Sequence, residues 1–301
     1  MSKPHESLTP TPVPEAQSET RPDADLDAAP PPKPSAGVEA NSWDALRRFT
    51  RARVALGRAG NSLPTAPLLA FDLAHAQARD AVHQPLDTAA LHDALRQAGF
   101  QTLDVKSAAP DRAHYLRRPD LGRKLSDESA VQLGDYVRTA GTASTIDKIL
   151  DVVFVVADGL SAYAAARHAV PLLTAVSARL AGWNVGPVVV ARQARVALGD
   201  DIGERLRARM VVMLIGERPG LSSPDSLGIY LTYEPRIGRS DAERNCISNV
   251  RPEGLIYEQA AFKLHYLMTQ SRRLALSGVS LKDDSDTLLE ASPAHAALPR
   301  S

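Results

Sequence analysis

Gly216-Glu217-Arg218-Pro219-Gly220 sets a carboxylate and a guanidinium directly behind the apolar run Met210 to Ile215. In open α/β sheets, loops at the carboxyl ends of buried strands hold the ligands, so this pair serves either a local ion pair or a binding loop. Asp158-Gly159-Leu160-Ser161 follows the run Val152 to Ala157 in the same way. Its glycine permits close backbone approach, and Ser or Asp can cap the next helix, so a ligand-facing turn and a plain strand-to-helix cap both account for it. Cys246, in Asn245-Cys246-Ile247-Ser248-Asn249, is the single cysteine. A nucleophilic thiolate needs a base and a stabilising charge that no neighbouring pattern supplies, so the expectation is a small buried hydrophobe. One cysteine also excludes an internal disulfide and any multi-thiolate metal centre.

The eight histidines stand singly and read as surface or core-satisfied rings rather than ligands or bases. The chain has no G-x-S-x-G elbow, H-E-x-x-H helix, phosphate-binding G-x-x-x-x-G-K-[ST] loop or G-x-G-x-x-G fingerprint. No residue is assigned as catalytic or as a metal ligand on this basis.

The elements that must position these loops follow from hydrophobic pattern. Asp151 to Ala157, Gly186 to Ala191 and Met210 to Ile215 are continuous β-branched or apolar runs, suited to strands buried on both faces. Between them lie an Ala-rich helix from Ala162 to Leu180, which Pro171 should kink or split, and a helix over about Asp200 to Ala208. That order predicts an α/β protein with a Rossmann-like parallel sheet and right-handed crossovers. Leu227 to Tyr233 reads as a further strand, and Glu258 to Leu276 as a last amphipathic helix. The ligand edge would then collect Asp158 to Ser161, Arg192 to Val196 and Glu217 to Gly220.

Ahead of this, Trp43 to Gly99 reads as helical, with Trp43, Leu46, Phe49 and Val54 in one stretch and Leu68, Leu69, Leu73 and Ala76 in the next. Gly57 to Pro64 breaks the two, and a third helix covers Asp87 to Gln97. Residues 1–42, with nine prolines and no aromatic residue, cannot bury enough surface to offset chain entropy. The expected organisation is a disordered arm over 1–42, a helical N-terminal part over 43–110, an α/β domain over 111–282 and a disordered tail over 283–301.

Residues 1–42 carry three basic and seven acidic side chains and 283–301 one and four, so the neutral whole leaves the span between them seven charges positive. Such a core suits a phosphate-bearing ligand, an acidic partner surface or nucleic acid, and charge alone does not choose. No apolar run reaches the roughly 18 to 20 residues of a spanning helix, and no secretory pattern opens the chain, so a cytoplasmic protein is expected. On residues alone, a stand-alone flavodoxin-like nucleotide or flavin protein and a scaffolding chain without cofactor both remain open.

Five stretches in order narrow this: Arg51 to Gly60, Tyr115 to Arg123, Ala157 to Ser161, Gly216 to Leu221 and Asn245 to Asn249. Over Trp43 to Ser277 the chain resembles the small (light) subunit of ethanolamine ammonia-lyase. The resemblance implies a hetero-oligomer with a TIM-barrel large subunit, sharing adenosylcobalamin at the junction, with no nucleic acid or membrane as partner. It implies conversion of ethanolamine to acetaldehyde and ammonia, begun by cobalt–carbon homolysis and hydrogen abstraction by a 5′-deoxyadenosyl radical. By the same carry-over, cofactor contacts fall on Val196, Glu217 and Cys246, with Glu217 accepting from corrin amides. The D-x-H-x-x-G pattern, by which other cobalamin enzymes replace the cofactor's own lower base, is absent. Some relatives begin with an amphipathic helix for a bacterial microcompartment; the prolines of residues 1–42 argue against one here.

Overall fold

A computed structural model of the chain describes residues 43–50, 52–142 and 149–285. The arm expected over 1–42 and the tail from 286 onward lie outside the described residues. The chain divides into a leading unit ending at Ala55 and a main unit from Leu56. In the leading unit Trp43, Leu46 and Phe49 fall on or beside a 3-10 helix, Asp44–Phe49, and Val54 lies beyond its end.

The main unit opens with two helices, α1 (Thr65–His83) and α2 (Thr88–Gln97). The Asp87 carboxylate caps α2 by accepting from the Ala90 N–H at 3.0 Å. The apolar face expected of α1 is not its buried face: Leu69 and Leu73 are each 61% exposed, whereas Ala74 and Ala81 are buried. Within the 43–110 span expected to be helical, Thr102–Lys106 is a strand, β1.

After α3 (Arg112–Arg117) and α4 (Asp127–Thr142), the elements alternate as expected. They are β2 (Val153–Ala157), α5 (Ala162–Ser177), β3 (Val188–Arg192), α6 (Leu198–Arg205) and β4 (Met210–Gly216). β5 (Leu227–Tyr233), β6 (Arg244–Val250) and α7 (Tyr257–Leu274) complete the unit. α5 continues through Pro171 as one helix rather than two. A proline inside a helix costs about 3 kcal/mol, and the burial of Ala165, Ala169, Leu172, Leu173 and Val176 on one stripe of α5 offsets it.

The sheet has six strands in the order β1-β3-β2-β4-β5-β6. β1, β3, β2 and β4 are parallel. β5 and β6 are not: β5 runs antiparallel to β4 and β6 antiparallel to β5, so the sheet is mixed and the expectation of a wholly parallel one is corrected. The cause is in the connections. Residues 217–226 and 234–243 contain no α-helix to carry the chain back across the sheet, and a short link returns a strand antiparallel.

Alternate residues of the central strands feed two cores. Phe154, Val156, Val188, Val190, Val212 and Leu214 pack with α2, α5 and α7 on one face. Val153, Val155, Val189, Ala191, Val211 and Met213 pack with α4 and α6 on the other. Of the eight histidines, His5 and His295 lie outside the described residues, and His168 is fully buried with its Nδ1 2.7 Å from the Tyr257 hydroxyl. Beyond α7, Asn245 of β6 holds the segment around the 3-10 helix Gly278–Ser280. Its side-chain amide donates to Gly278 O at 3.2 Å and Leu281 O at 2.9 Å, and its oxygen accepts from the Gly278 N–H at 2.7 Å. Asp283 to Ser285, at the start of the expected tail, lie against α7, with Lys263 Nζ 3.6 Å from Asp283. No described helix is long and apolar enough to cross a membrane.

Candidate functional site

At the carboxyl ends of β2, β3 and β4 the chain turns three times in adjacent positions, because Ala157 pairs with both Ala191 and Ile215. Asp158 ties two of these turns together. It is 3% exposed, accepts from the Gln193 N–H at 2.8 Å and the Ala194 N–H at 3.1 Å, and meets Arg112 Nη1 at 3.1 Å. Burial pushes its carboxyl above the ordinary range, opposed by Arg112 and the backbone donors. The same loop is fixed from outside by Tyr115, whose hydroxyl donates to Ala194 O at 3.1 Å. The Arg112 and Arg195 guanidinium carbons stand 4.7 Å and 4.5 Å from its ring centre.

Gly159 and Gly216 close the rim on the other side. Gly159 has φ +53°, and a Cβ there would lie 2.2 Å from Gly216 O; a Cβ on Gly216 would lie 1.9 Å from Ser161 O. Ser161 caps α5 by accepting from the Ala164 N–H at 3.2 Å and donates to Pro224 O at 2.8 Å. The turn is therefore a cap, as the plainer reading had it, and also a clamp on the loop after β4.

Glu217 takes the next position. Its Oε2 accepts from the Ser226 hydroxyl at 2.5 Å and its Oε1 from the Asn249 N–H at 3.4 Å. Among the described residues no ion pair joins it to Arg218, so the local ion pair is not formed. Its side chain lies over Gly228 of β5, where a Cβ would stand 3.0 Å from Glu217 Oε1 and 3.3 Å from Tyr230 Cε2.

Cys246 is exposed, which corrects the expectation of a buried one. The reason is the sheet face it occupies. α7 packs on one side of β5 and β6, where Leu227, Ile229, Leu231 and Ile247 point. Cys246 pairs with Tyr230 and, like it, points to the opposite side, where among the described residues no helix packs comparably. Its Sγ is 3.3 Å from the Ser248 hydroxyl. Farther along that side Arg244 pairs with Thr232 and, buried, places Nη1 2.6 Å from Asp200 Oδ1.

Val196 lies in the loop that Asp158 pins, half-buried against the apolar cluster that Tyr230 also joins. The three residues singled out from sequence thus share one side of the sheet. Glu217 and Cys246 both flank Tyr230, and Val196 borders the same cluster. Sequence reasoning gave no role to Asp158's partner Arg112, to Tyr115 or to Tyr230. Tyr115 begins one of the five stretches quoted above; Tyr230 carries no local signal, since its place beside Cys246 follows from strand register.

Comparison with known proteins shows the family of the chain. A family model described as Ethanolamine ammonia-lyase light chain (EutC) matches residues 40–282. The chain is 58% identical over 259 residues to the Ethanolamine ammonia-lyase small subunit of Ralstonia nicotianae, covering 85% of this chain and 94% of that protein. The small subunits of Azotobacter vinelandii (58% over 248 residues, 82% and 90% covered) and Xanthomonas campestris pv. campestris (55% over 264, 87% and 95% covered) are similar to it.

Proposed function

The chain belongs to the ethanolamine ammonia-lyase light-chain family, and from that premise we propose that it is the small subunit of an adenosylcobalamin-dependent lyase that turns ethanolamine into acetaldehyde and ammonia. Its partner is the large subunit, a TIM barrel that holds the substrate, and the two form a hetero-oligomer. The four parallel strands with helices on both faces form the Rossmann-like half of this chain, whose rim meets that partner.

The residues present fit a broad, flat cofactor with an amide-bearing periphery. On the side of β5 and β6 away from α7, Gly228 adds no side chain, and the Glu217 carboxylate, the exposed Cys246 thiol and the Tyr230 phenol lie around it. When bound, adenosylcobalamin supplies the radical chemistry, and protein supplies position and exclusion of competing reactions. Glu217 accepts hydrogen bonds from amide N–H groups with the lone pairs that Ser226 and Asn249 leave free. Val196 and Cys246 give apolar and backbone contacts. Asp158 does not touch the cofactor; it holds the Val196 loop in place.

The observation that carries this reading is the convergence of Val196, Glu217 and Cys246 on one side of the sheet, in a chain of this family. The test is co-expression with the large subunit and a visible cobalamin spectrum of the purified complex. Glu217→Ala is expected to weaken cobalamin binding about 10-fold or more, as for loss of a charged hydrogen-bond acceptor. Unchanged affinity in an assembled complex would remove Glu217 from the site.

A further inference from the structure

Tyr230 stands where the three assigned residues meet. It is half-buried, it lies opposite Cys246 in the β5–β6 register, its ring edge borders the Gly228 position that Glu217 covers, and it packs on the cluster that includes Val196. Its neighbours on β5, Ile229 and Leu231, point to the buried face under α7, so strand alternation fixes the Tyr230 ring on the opposite side, with Cys246. The ring packs on the Val196 cluster along part of its surface and leaves the rest accessible, an apolar body with a polar tip that can meet a ligand.

We propose that Tyr230 is a fourth ligand-contacting residue, presenting its ring to the face of the macrocycle and donating its hydroxyl proton to an acceptor on the macrocycle's periphery. This rests on the reading of the preceding subsection and extends it from loops to the strand itself. The chemistry is consistent with a donor: a phenol carries its proton at neutral pH, and burial, with Cys246 and Glu217 beside it, moves it further up from its ordinary range. Glu217 and Tyr230 then offer opposite functions, one accepting from amide N–H groups and the other donating to amide carbonyls. Gly228 lets the two stand side by side.

The test uses the assembled complex of this chain with its large subunit and cyanocobalamin as probe, with affinity read by equilibrium dialysis and corrin absorbance. Tyr230→Phe keeps the ring and its packing and removes only the hydroxyl. It is expected to weaken binding at least about fivefold with the complex intact, the effect of one hydrogen bond lost to a ligand. Tyr233→Phe, on the same strand but the opposite face, is expected to bind as the unaltered chain does. A Tyr230→Phe change below about fivefold overturns the proposal. Glu217→Ala separates the two levels: if it weakens binding while Tyr230→Phe does not, only the Tyr230 assignment falls. If neither does, the cofactor reading falls with it.

Discussion

Replacing Asp158 by Ala removes the group that joins the loops after β2 and β3, and the consequence can be worked out from its partners. The carboxylate is 3% exposed and holds Arg112 at 3.1 Å and two backbone N–H groups at 2.8 and 3.1 Å. Breaking a buried pair by deleting one member costs about 3–5 kcal/mol, because the other charge stays buried without compensation. Two orphaned N–H groups cost on the order of 1–3 kcal/mol each if they stay dry, so the loop is expected to open rather than bear both penalties. The expected loss in urea unfolding is therefore about 3–5 kcal/mol, with faster hydrogen exchange at Gln193 and Ala194. Arg112→Met should cost a comparable amount, and the double variant less than the two losses added, because the surviving partner is what makes each single change expensive. A loss below about 1 kcal/mol for Asp158→Ala, with exchange at those two amides unchanged, would refute the claim that this carboxylate positions the Val196 loop.

Two further outcomes are expected. Gly216→Ala should destabilise the fold by about 3 kcal/mol or more, since its Cβ would lie 1.9 Å from the Ser161 carbonyl oxygen and backbone must move; a thermal midpoint matching the parent would contradict the close approach. Ser240 donors and Arg239 hold Glu243 at about 2, below its ordinary 4.5. A depressed carboxylate stabilises the folded state above pH 4.5, and that contribution is lost as pH falls toward about 2. Carbon NMR titration of the Glu243 carboxyl should place its midpoint well below the other exposed glutamates, and Ser240→Ala should raise it.

What the sequence could convey was the fully buried part of the fold. β2, β3 and β4 announce themselves because strands covered on both faces are unbroken apolar runs, and β5 is nearly as plain. β1 and β6 lie at the ends of the sheet, where Thr102, Asp104, Arg244, Asn245 and Ser248 interrupt any apolar pattern. Direction was harder than existence. The clue to the antiparallel pairs was the lack of a helical stretch between Gly216 and Leu227, which bears on strand direction rather than on composition. α1 misled for another reason: Leu68, Leu69 and Leu73 mark an apolar stripe, yet it is the small residues Ala74 and Ala81 that the main unit buries. Of the site, the rim loops were legible as loops after buried strands. Cys246 was placed by resemblance alone, and its exposure follows from which side of β6 it takes, a matter of register that no local pattern encodes.

The grip of Asn245 on the segment past α7 has a consequence for how this chain meets others. An outermost strand with a bare margin invites a foreign strand to zip alongside it, the usual first step of self-polymerisation. Here Gly278 and Leu281 are stitched to the Asn245 side chain, and the Ser277 hydroxyl donates to Glu243 O at 2.6 Å, so the chain's own continuation guards the beginning of that margin. A chain cut after Leu274 would lose that guard and leave the beginning of the strand open to a foreign one.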